Sequence, residues 1–404
     1  MKILHTSDWH LGHRLHEQSQ YEEQKKFLDW LVQYIKDEKI DVLLVSGDIF
    51  DTAHPSAQSL DLFYRFLAKL YKHTSCDNII MTAGNHDAPG TLNAPAQFTR
   101  FFNIHLVGKA TGNPEDEIIE INLNDEKLVV AAVPFLRDRD IRRAIAGEDA
   151  GEMEKRYHTA LSKHYKELAD LIEKKYKTGN IFSLAMGHLF ATGTQVSDSE
   201  KRIYVGGLGD ISAEDFPNTF DYIALGHLHR PQQVGGKTHI RYSGSPYPLS
   251  FSESGTEKKM ILINTGNNKL THIEEIKIPV FRKLHSIKGN LDECLHQLEE
   301  LARDNKESET WVEVNLNDEP AVGNVFSLIE KHIKDLPVKV LSVRNLQAKK
   351  QVDITRIEAA DRQLTELQPD EVFKKKCEET GFDLEEHPEI LDAFYEVLNE
   401  INDN

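Results

Sequence analysis

Cysteine is scarce: Cys76, Cys294 and Cys377 are the only three in 404 residues. An odd, scattered set of this kind excludes a disulfide scaffold and fits a reducing cytoplasm, with each thiol read as a small buried hydrophobe. No apolar stretch is long enough to span a bilayer and no signal-type leader opens the chain, so neither a membrane nor a secretory route is expected. Basic charge is short as well. Forty-eight Lys and Arg stand against 66 Asp and Glu, a formal net charge of −18, which is unfavourable for any surface that must bind phosphate. The acid is unevenly placed. From Gln351 to Asn404 there are sixteen acidic and five basic residues, a balance of −11 that leaves only −7 for everything before it.

What the chain has instead is a set of short apolar runs, each closing on a polar motif. Ile3-Leu4-His5-Thr6 precedes Asp8-Trp9-His10, and Val42-Leu43-Leu44-Val45 precedes Gly47-Asp48-Ile49-Phe50-Asp51. Ile79-Ile80-Met81 leads to Gly84-Asn85-His86-Asp87, Ile181-Phe182-Ser183-Leu184 to Gly187-His188, and Tyr222-Ile223-Ala224-Leu225 to Gly226-His227-Leu228-His229. Runs this short, bounded by Gly and polar residues, predict buried strands. Loops at the carboxyl ends of such strands are where α/β sheets gather their ligands, so the motifs are expected to meet in space.

Carboxylate, imidazole and amide oxygen suit manganese, magnesium, zinc or iron, and the absence of cysteine from every motif argues against a thiolate site or an iron–sulfur cluster. Asp8 and His10 are two apart, which in an extended segment points both side chains the same way to share one ion; His227 and His229 repeat that spacing. Asp48 is placed to bridge two ions, since a carboxylate has two oxygens. Two cations about 3.5–4 Å apart make a clamp for a phosphate. Singly, each motif has an ordinary reading as a turn or a solvated histidine. Five in this order are hard to produce by accident.

The series Asp-x-His, Gly-Asp-x-x-Asp, Gly-Asn-His-Asp, Gly-His and Gly-His-x-His resembles the calcineurin-like metallophosphoesterase superfamily. The opening His5-Thr6-Ser7-Asp8-Trp9-His10-Leu11-Gly12 and the later Tyr242-Ser243-Gly244-Ser245-Pro246-Tyr247-Pro248-Leu249-Ser250-Phe251 narrow it to a resemblance to the SbcD family, the nuclease subunits of bacterial SbcCD complexes. The resemblance implies an α/β fold, a layered calcineurin-like metallophosphoesterase β-sandwich flanked by helices, with a small α/β capping domain and a C-terminal helical element. It implies one ion on Asp8, His10, Asp48 and His229 and a second on Asp48, Asn85, His188 and His227, with manganese the expected metal. His86 matches the family's catalytic histidine, which gives a proton to the departing 3′ oxygen or stabilises the crowded phosphate. Asp51 stands where archaeal members often carry a second histidine, and its expected role is to orient His86 or a water at the ions.

The implied function is a two-metal-dependent DNA nuclease, acting on DNA ends and hairpins as exonuclease and endonuclease, with an SbcC-type ATPase in DNA repair, recombination and replication. A cytoplasmic, nucleoid-associated homodimer without membrane contact is expected. Arg14, near the first ligand pair, and Arg137, Arg139, Arg142 and Arg143 are candidate DNA-backbone contacts; for the cluster, a solvated helix start interspersed with Asp138 and Asp140 is the competing reading. The alternative function is a calcineurin-like phosphomonoesterase or small-molecule phosphodiesterase. Against it, Thr52 follows Asp51 where the superfamily's protein phosphatases have Arg.

Periodicity supplies the organisation. Phe27, Leu28, Leu31, Val32 and Ile35 recur at helical spacing between the first two strands, which opens the fold with a strand–helix–strand unit. The segment from Leu60 to Tyr71 is apolar on more than one helical face, and the family's dimerisation through this region predicts an interface between subunits at whichever of Phe63, Phe66 or Leu70 is exposed. Residues 1–275 are expected to form the nuclease domain and 276–345 the capping domain, with strands and helices alternating from about Phe281 to Val343. Residues 346–404 are expected to carry two short amphipathic helices, beginning near Pro369 and Pro388, that cannot bury their apolar stripe alone. The resemblance implies that they grip the ATPase, and packing onto the chain's own capping domain is the competing reading.

Overall fold

The apolar runs show no alternation because the strands they form are buried on both faces. The computed structural model describes residues 1–137, 140, 150–176, 180–191, 194–195, 200, 211–304, 309–317 and 325–345. One six-stranded sheet has the order β14 (Lys269–Lys277), β13 (Lys259–Gly266), β1 (Lys2–Thr6), β4 (Val42–Ser46), β5 (Asn78–Thr82) and β6 (Ile104–Val107). From β1 to β6 the strands run parallel, with Ile3 opposite Val42 and Val42 opposite Asn78, whereas β13 is antiparallel to β1. A second has the order β11 (Gln232–Val234), β12 (Lys237–Tyr242), β10 (Tyr222–Gly226), β9 (Phe182–His188), β8 (Glu126–Ala132) and β7 (Ile118–Leu123). Here β12, β10, β9 and β8 are parallel, and antiparallel strands close both edges.

Successive residues of each strand feed different cores. Ile3, Val42, Leu44 and Ile80 face inward and meet Leu128, Val130, Phe182, Leu184 and Tyr222 of the opposite sheet. Leu4, Leu43, Val45, Ile79 and Met81 face outward, under α1 (Tyr21–Glu38), α2 (Ala57–His73) and α3 (Pro89–Thr99). On the far side Val129, Ala131, Ala185, Ile223 and Leu225 lie beneath α4 (Ala150–Tyr176), whose Leu161, Tyr165, Leu168 and Ile172 seal that face. The layers are therefore helix, sheet, sheet, helix, the flanked β-sandwich that the motifs implied. No described helix is long and apolar enough to cross a membrane.

After Phe281 the strand and helix order is as read from the sequence: β15 (Leu284–Gly289), α5 (Leu291–Asp304), β16 (Thr310–Leu316), α6 (Val325–Ile333) and β17 (Val338–Asn345) make a three-stranded sheet with two helices. Residues 1–315 and 320–344 make one compact unit. The small sheet is seated on the body through a hairpin, β2 (Arg14–Leu15) with β3 (Gln18–Ser19): Leu15 and Phe251 pack with Leu284 and Trp311. Arg282 pins the junction, its guanidinium 2.7 Å from Glu23 of α1 and stacked 4.7 Å over the Trp311 ring. Cys76 and Cys294 are buried, in keeping with their expected role; Cys377, Arg139, Arg142, Arg143 and the expected C-terminal helices lie outside the described residues.

The helix α2 differs from expectation. Ser56 caps it, accepting from Ser59 N at 3.1 Å, but Phe63, Phe66 and Leu70 are 1%, 2% and 0% exposed. The two phenylalanine rings are spoken for: Phe63 packs edge-on to Phe50 at 5.3 Å and Phe66 to Trp9 at 5.2 Å, so this face covers the loops after β1 and β4, while Tyr64 and Tyr71 of the same helix stay 41% and 66% exposed. Phe66→Ala is accordingly expected to cost about 3–5 kcal/mol of stability, the range for removing a buried aromatic ring, and a charge at Phe63 to prevent folding. Chemical denaturation checks both, and a soluble, fully folded Phe63→Asp protein would contradict the burial.

Candidate metal centre

Five strands stop at the same end of the sandwich and hand their next residues to one site. From the first sheet, β1 delivers Asp8 and His10, β4 delivers Asp48, and β5 delivers Asn85 and His86; from the second, β9 ends on His188 itself and β10 delivers His227 and His229. The Ser46 hydroxyl, at the end of β4, donates to the Ala224 carbonyl at 3.0 Å and ties the two sheets together here. Backbone crowding explains the glycines. A Cβ on Gly226 would collide with the Ser46 carbonyl oxygen, and one on Gly84 with the Asp48 carboxylate and amide.

The side chains gather in groups whose ligand atoms lie within 4.8 Å of one another: Asp8, His10 and His229; Asp48, His188 and His227; and His10, Asp48 and His86. Asp48 Oδ2 is 3.5 Å from His10 Nε2 and 3.3 Å from His188 Nε2, so one carboxylate faces both main groups. Asn85 Oδ1 joins the second, 3.0 Å from His188 Nε2 and 3.1 Å from His227 Nδ1.

Extended-strand reasoning predicts this convergence for the wrong cause. Asp8, His10, Asp48 and His227 adopt φ of 53°, 44°, 48° and 104°, left-handed values that non-glycine residues rarely take. Asp8 and His10 converge through that curl and not through strand alternation. His227 and His229 do not share a group at all, because the chain turns sharply at His227 and sends the two imidazoles apart. Strain concentrated in ligand-bearing loops is a mark of a site over-determined by its surroundings.

Residues 1–231 match the calcineurin-like phosphoesterase family, and residues 280–380 match a family described as the Type 5 capsule protein repressor C-terminal domain. Over 401 residues the chain is 33% identical to the SbcD subunit of the SbcCD nuclease of Escherichia coli K12, covering 99% of this chain and 98% of that protein. Its counterpart in Bacillus subtilis 168 is 29% identical over 366 residues, 90% of this chain and 91% of the other. That of Rhodobacter capsulatus is 34% identical over 313 residues, 75% and 76% of the two chains. The chain belongs to the SbcD family. Its catalytic class is that of a metal-dependent phosphodiesterase nuclease, and its fold implies divalent metal ions.

The residues present in this SbcD-family site fit such ions. Both nitrogens of His10 and Nε2 of His227 are buried without a hydrogen bond, an arrangement that costs free energy and that an ion taking one lone pair from each ring would relieve. His188 donates Nδ1–H to the Ser46 carbonyl at 3.0 Å, which fixes its tautomer and frees Nε2 toward Asp48 and Asn85. The Asp8 carboxylate takes the His227 amide at 2.8 Å and the Ser7 hydroxyl at 2.6 Å, leaving further lone pairs for an ion.

Electrostatics point the same way. Burial pushes the Asp8 carboxyl up, and the neighbouring histidines only partly offset it. Asp48 is equally buried, yet His188, His10 and His86 together hold it well below the usual carboxylate range. Burial opposes charge on His10 and His188, but the adjoining carboxylates outweigh it and raise each to about 9. His227 goes the other way, pushed well below the ordinary value by burial and by His188. Protons on His10 and His188 thus supply the positive charge that cations would bring.

Asp51, Arg14 and Arg137 have these surroundings. The Asp51 backbone carbonyl, at 2.7 Å, accepts from His86 Nδ1, so it does orient His86, but not through its carboxylate. That carboxylate lies 3.2 Å from His10 Nδ1 without hydrogen-bond geometry. Arg137 donates to the Asp87 carbonyl at 3.1 Å and braces the Asn85-His86-Asp87 loop. Arg14 is exposed and held by Glu17.

Sequence reasoning missed Asp87 as a support. Fully buried, it accepts backbone N–H groups from Ile49, Phe50 and Gly84 at 3.1, 2.9 and 2.8 Å, locking the second and third motif loops together. Burial and the Asp48 charge push its carboxyl up to about 6. The only signal was its place after Asn85-His86.

Because the adjoining carboxylates raise His10 and His188 to about 9, metal loading at neutral pH is expected to displace protons from them. Calorimetry of metal binding in buffers of different ionisation enthalpy is expected to show net proton release at pH 7 and weaker binding as pH falls. A binding heat independent of buffer would contradict this.

Proposed function

We propose that Asp8, His10, Asp48 and His229 hold one divalent ion and Asp48, Asn85, His188 and His227 a second, manganese being the best fit, and that this centre cleaves phosphodiester bonds at DNA ends and hairpins. The observation that carries the two-ion reading is Asp48 Oδ2, within 3.5 Å of histidines from both groups. Carboxylate, amide and imidazole donors without thiolate favour manganese and its neighbours. Two such ions supply Lewis acidity toward a bound phosphate and an activated water at neutral pH.

The chain's own groups do the rest. Asp8 and Asp48 hold their orientation through the His227 and His86 amides, at 2.8 and 2.9 Å, so the ligand oxygens need no reorganisation when charge develops on the phosphate. His86 is the proposed catalytic histidine. With Nδ1 engaged by the Asp51 carbonyl, the proton meant for the departing oxygen is carried at Nε2. Of the two candidate arginines among the described residues, Arg14 is exposed for a DNA phosphate, whereas Arg137 positions the His86 loop.

The relatives are subunits of an SbcCD nuclease, and we assign this chain to a complex of that kind, working with an SbcC-type ATPase in DNA end processing in the cytoplasm. Residues 346–404, with their acidic excess and apolar positions, are the proposed ATPase contact. A homodimer is supported by exposed rings at the end of the expected α2 segment and beside it, rather than by Phe63, Phe66 or Leu70. Tyr71, Phe98 and Phe101 are 66%, 67% and 86% exposed, and Phe102 stacks against both Tyr71 and Phe98, at 5.2 and 5.3 Å. Clustered exposed rings of this kind mark a protein contact.

Two experiments test these assignments. Asp48→Asn is expected to abolish manganese-dependent cleavage of hairpin DNA and to weaken both ions, while His86→Asn keeps its metal and loses about 10²–10⁴ in rate. Retention of two tightly bound ions in Asp48→Asn, or loss of metal in His86→Asn, would reject the assignment concerned. For the dimer, Tyr71→Glu with Phe98→Glu is expected to give a folded monomer by light scattering at micromolar concentration; an unmodified protein already monomeric there would reject the patch.

A further inference from the structure

The phosphoesterase family match ends at residue 231, two residues past His229. Beyond it, in a stretch covered by neither family match, the chain buries an ion pair directly behind that histidine. Glu253, 0% exposed at the end of a short 3₁₀ turn, places Oε1 3.4 Å from His229 Nδ1 and Oε2 2.5 Å from Lys258 Nζ. Lys258 is also buried, and its ammonium donates to the His229 carbonyl at 3.0 Å and to the Ser245 hydroxyl at 2.8 Å. Glu253 takes further donors from Leu249 N at 3.3 Å and the Ser250 hydroxyl at 3.3 Å. Two opposite charges taken wholly out of water cost several kcal/mol each unless nearly every donor and acceptor is met. Here they are met, and the lysine clamps both ends of one residue: the backbone of His229 directly and its ring through Glu253.

We propose that Glu253 is a positioning residue for His229, fixing its imidazole with Nδ1–H toward the carboxylate and Nε2 toward Asp8 and His10, and that Lys258 holds Glu253 in place. A carboxylate behind a ligating imidazole fixes tautomer and ring angle and strengthens the nitrogen as a donor. Two other histidines of the centre are held by neutral partners, His188 by the Ser46 carbonyl and His86 by the Asp51 carbonyl, at 3.0 and 2.7 Å, whereas His10 Nδ1 faces the Asp51 carboxylate at 3.2 Å. The two histidines with a carboxylate behind Nδ1, His229 and His10, both belong to the Asp8 group, so the support from Glu253 is directed at the Asp8 ion and not at the Asp48–His188–His227 group. The same turn carries Phe251, packed with Leu284 and Trp311, so the small sheet is seated on the segment that aims this ligand.

The inference rests on the two-ion reading, and manganese itself is the probe. Glu253→Gln in the full-length protein keeps the shape of the side chain and removes its charge. Manganese titration by calorimetry and by electron paramagnetic resonance of the free ion is expected to show one ion weakened about 10- to 100-fold and the other unchanged, with the melting temperature of the chelator-stripped protein close to that of the unmodified chain. Glu253→Asp is expected to recover part of the lost affinity. Should Glu253→Gln leave Lys258 uncompensated and fail to fold, the double variant Glu253→Gln with Lys258→Met removes both charges and carries the same expectation. Two ions bound as tightly as in the unmodified protein would overturn the proposal alone, as would equal weakening of both ions with a fall in the stripped protein's melting temperature, the mark of a merely structural role. A single ion in the unmodified protein would overturn the two-ion reading and this inference with it.

Discussion

Asp8 and Asp48 lie at 0% and 2% exposure among His10, His188, His227 and His229, and the desolvation of two carboxylates at one spot is the constraint that orders the rest of the molecule. Bare, they would repel each other in a medium of low dielectric; the cost falls only if positive charge and fixed donors are brought to them. The structure brings both. Backbone amides of His227 and His86 point at the two carboxylates, His10 and His188, each raised to about 9, stand beside them, and imidazole nitrogens without a hydrogen bond lie among them. A site built this way stores its need for cations in the fold. Strands from two sheets must end at one level for it to exist, which is why the Ser46 to Ala224 hydrogen bond and the glycines at 84 and 226 matter more than their size suggests.

Much of this could be read from the chain. Each ligand follows a short apolar run because a strand buried on both faces needs continuous Val, Ile and Leu, and the loop after it must return to polar residues and glycine. That grammar picked out Asp8, His10, Asp48, Asn85, His188, His227 and His229 as candidates, which the fold brings together, and the 3.6-residue spacing from Phe27 to Ile35 located α1. What was not legible depended on partners distant in sequence. Alternation cannot reveal a left-handed φ at His10 or His227, so the side-chain directions followed from a conformation the chain does not adopt. Asp87 and Glu253 are ordinary acids in the sequence, and only folding brings Ile49 and Phe50 to one and His229 to the other.

The helix α2 shows the same limit from the packing side. A two-faced apolar helix has two explanations, a deep core or a contact between subunits, and periodicity alone cannot separate them. Trp9 and Phe50 separate them here: each belongs to a ligand loop, each needs an apolar lid, and Phe66 and Phe63 supply it. The large apolar side chains that α2, α3 and the turn after α3 leave exposed are then Tyr64, Tyr71, Phe98 and Phe101.

Burial also resolves the awkward net charge. A surplus of acid repels a polyanion only where it is exposed and within about a Debye length, roughly 8–10 Å at physiological salt. The carboxylates of Asp8, Asp48, Asp87 and Glu253 are counted in the −18 but are buried. Two are offset by histidines or ions, one is spread over three backbone amides, and one is paired with Lys258. A further −11 lies beyond residue 350. The field a phosphate meets at the centre is therefore set by the divalent ions that the fold implies, which would take the place of the imidazole protons, and not by composition, so a chain acidic overall can present a locally cationic mouth.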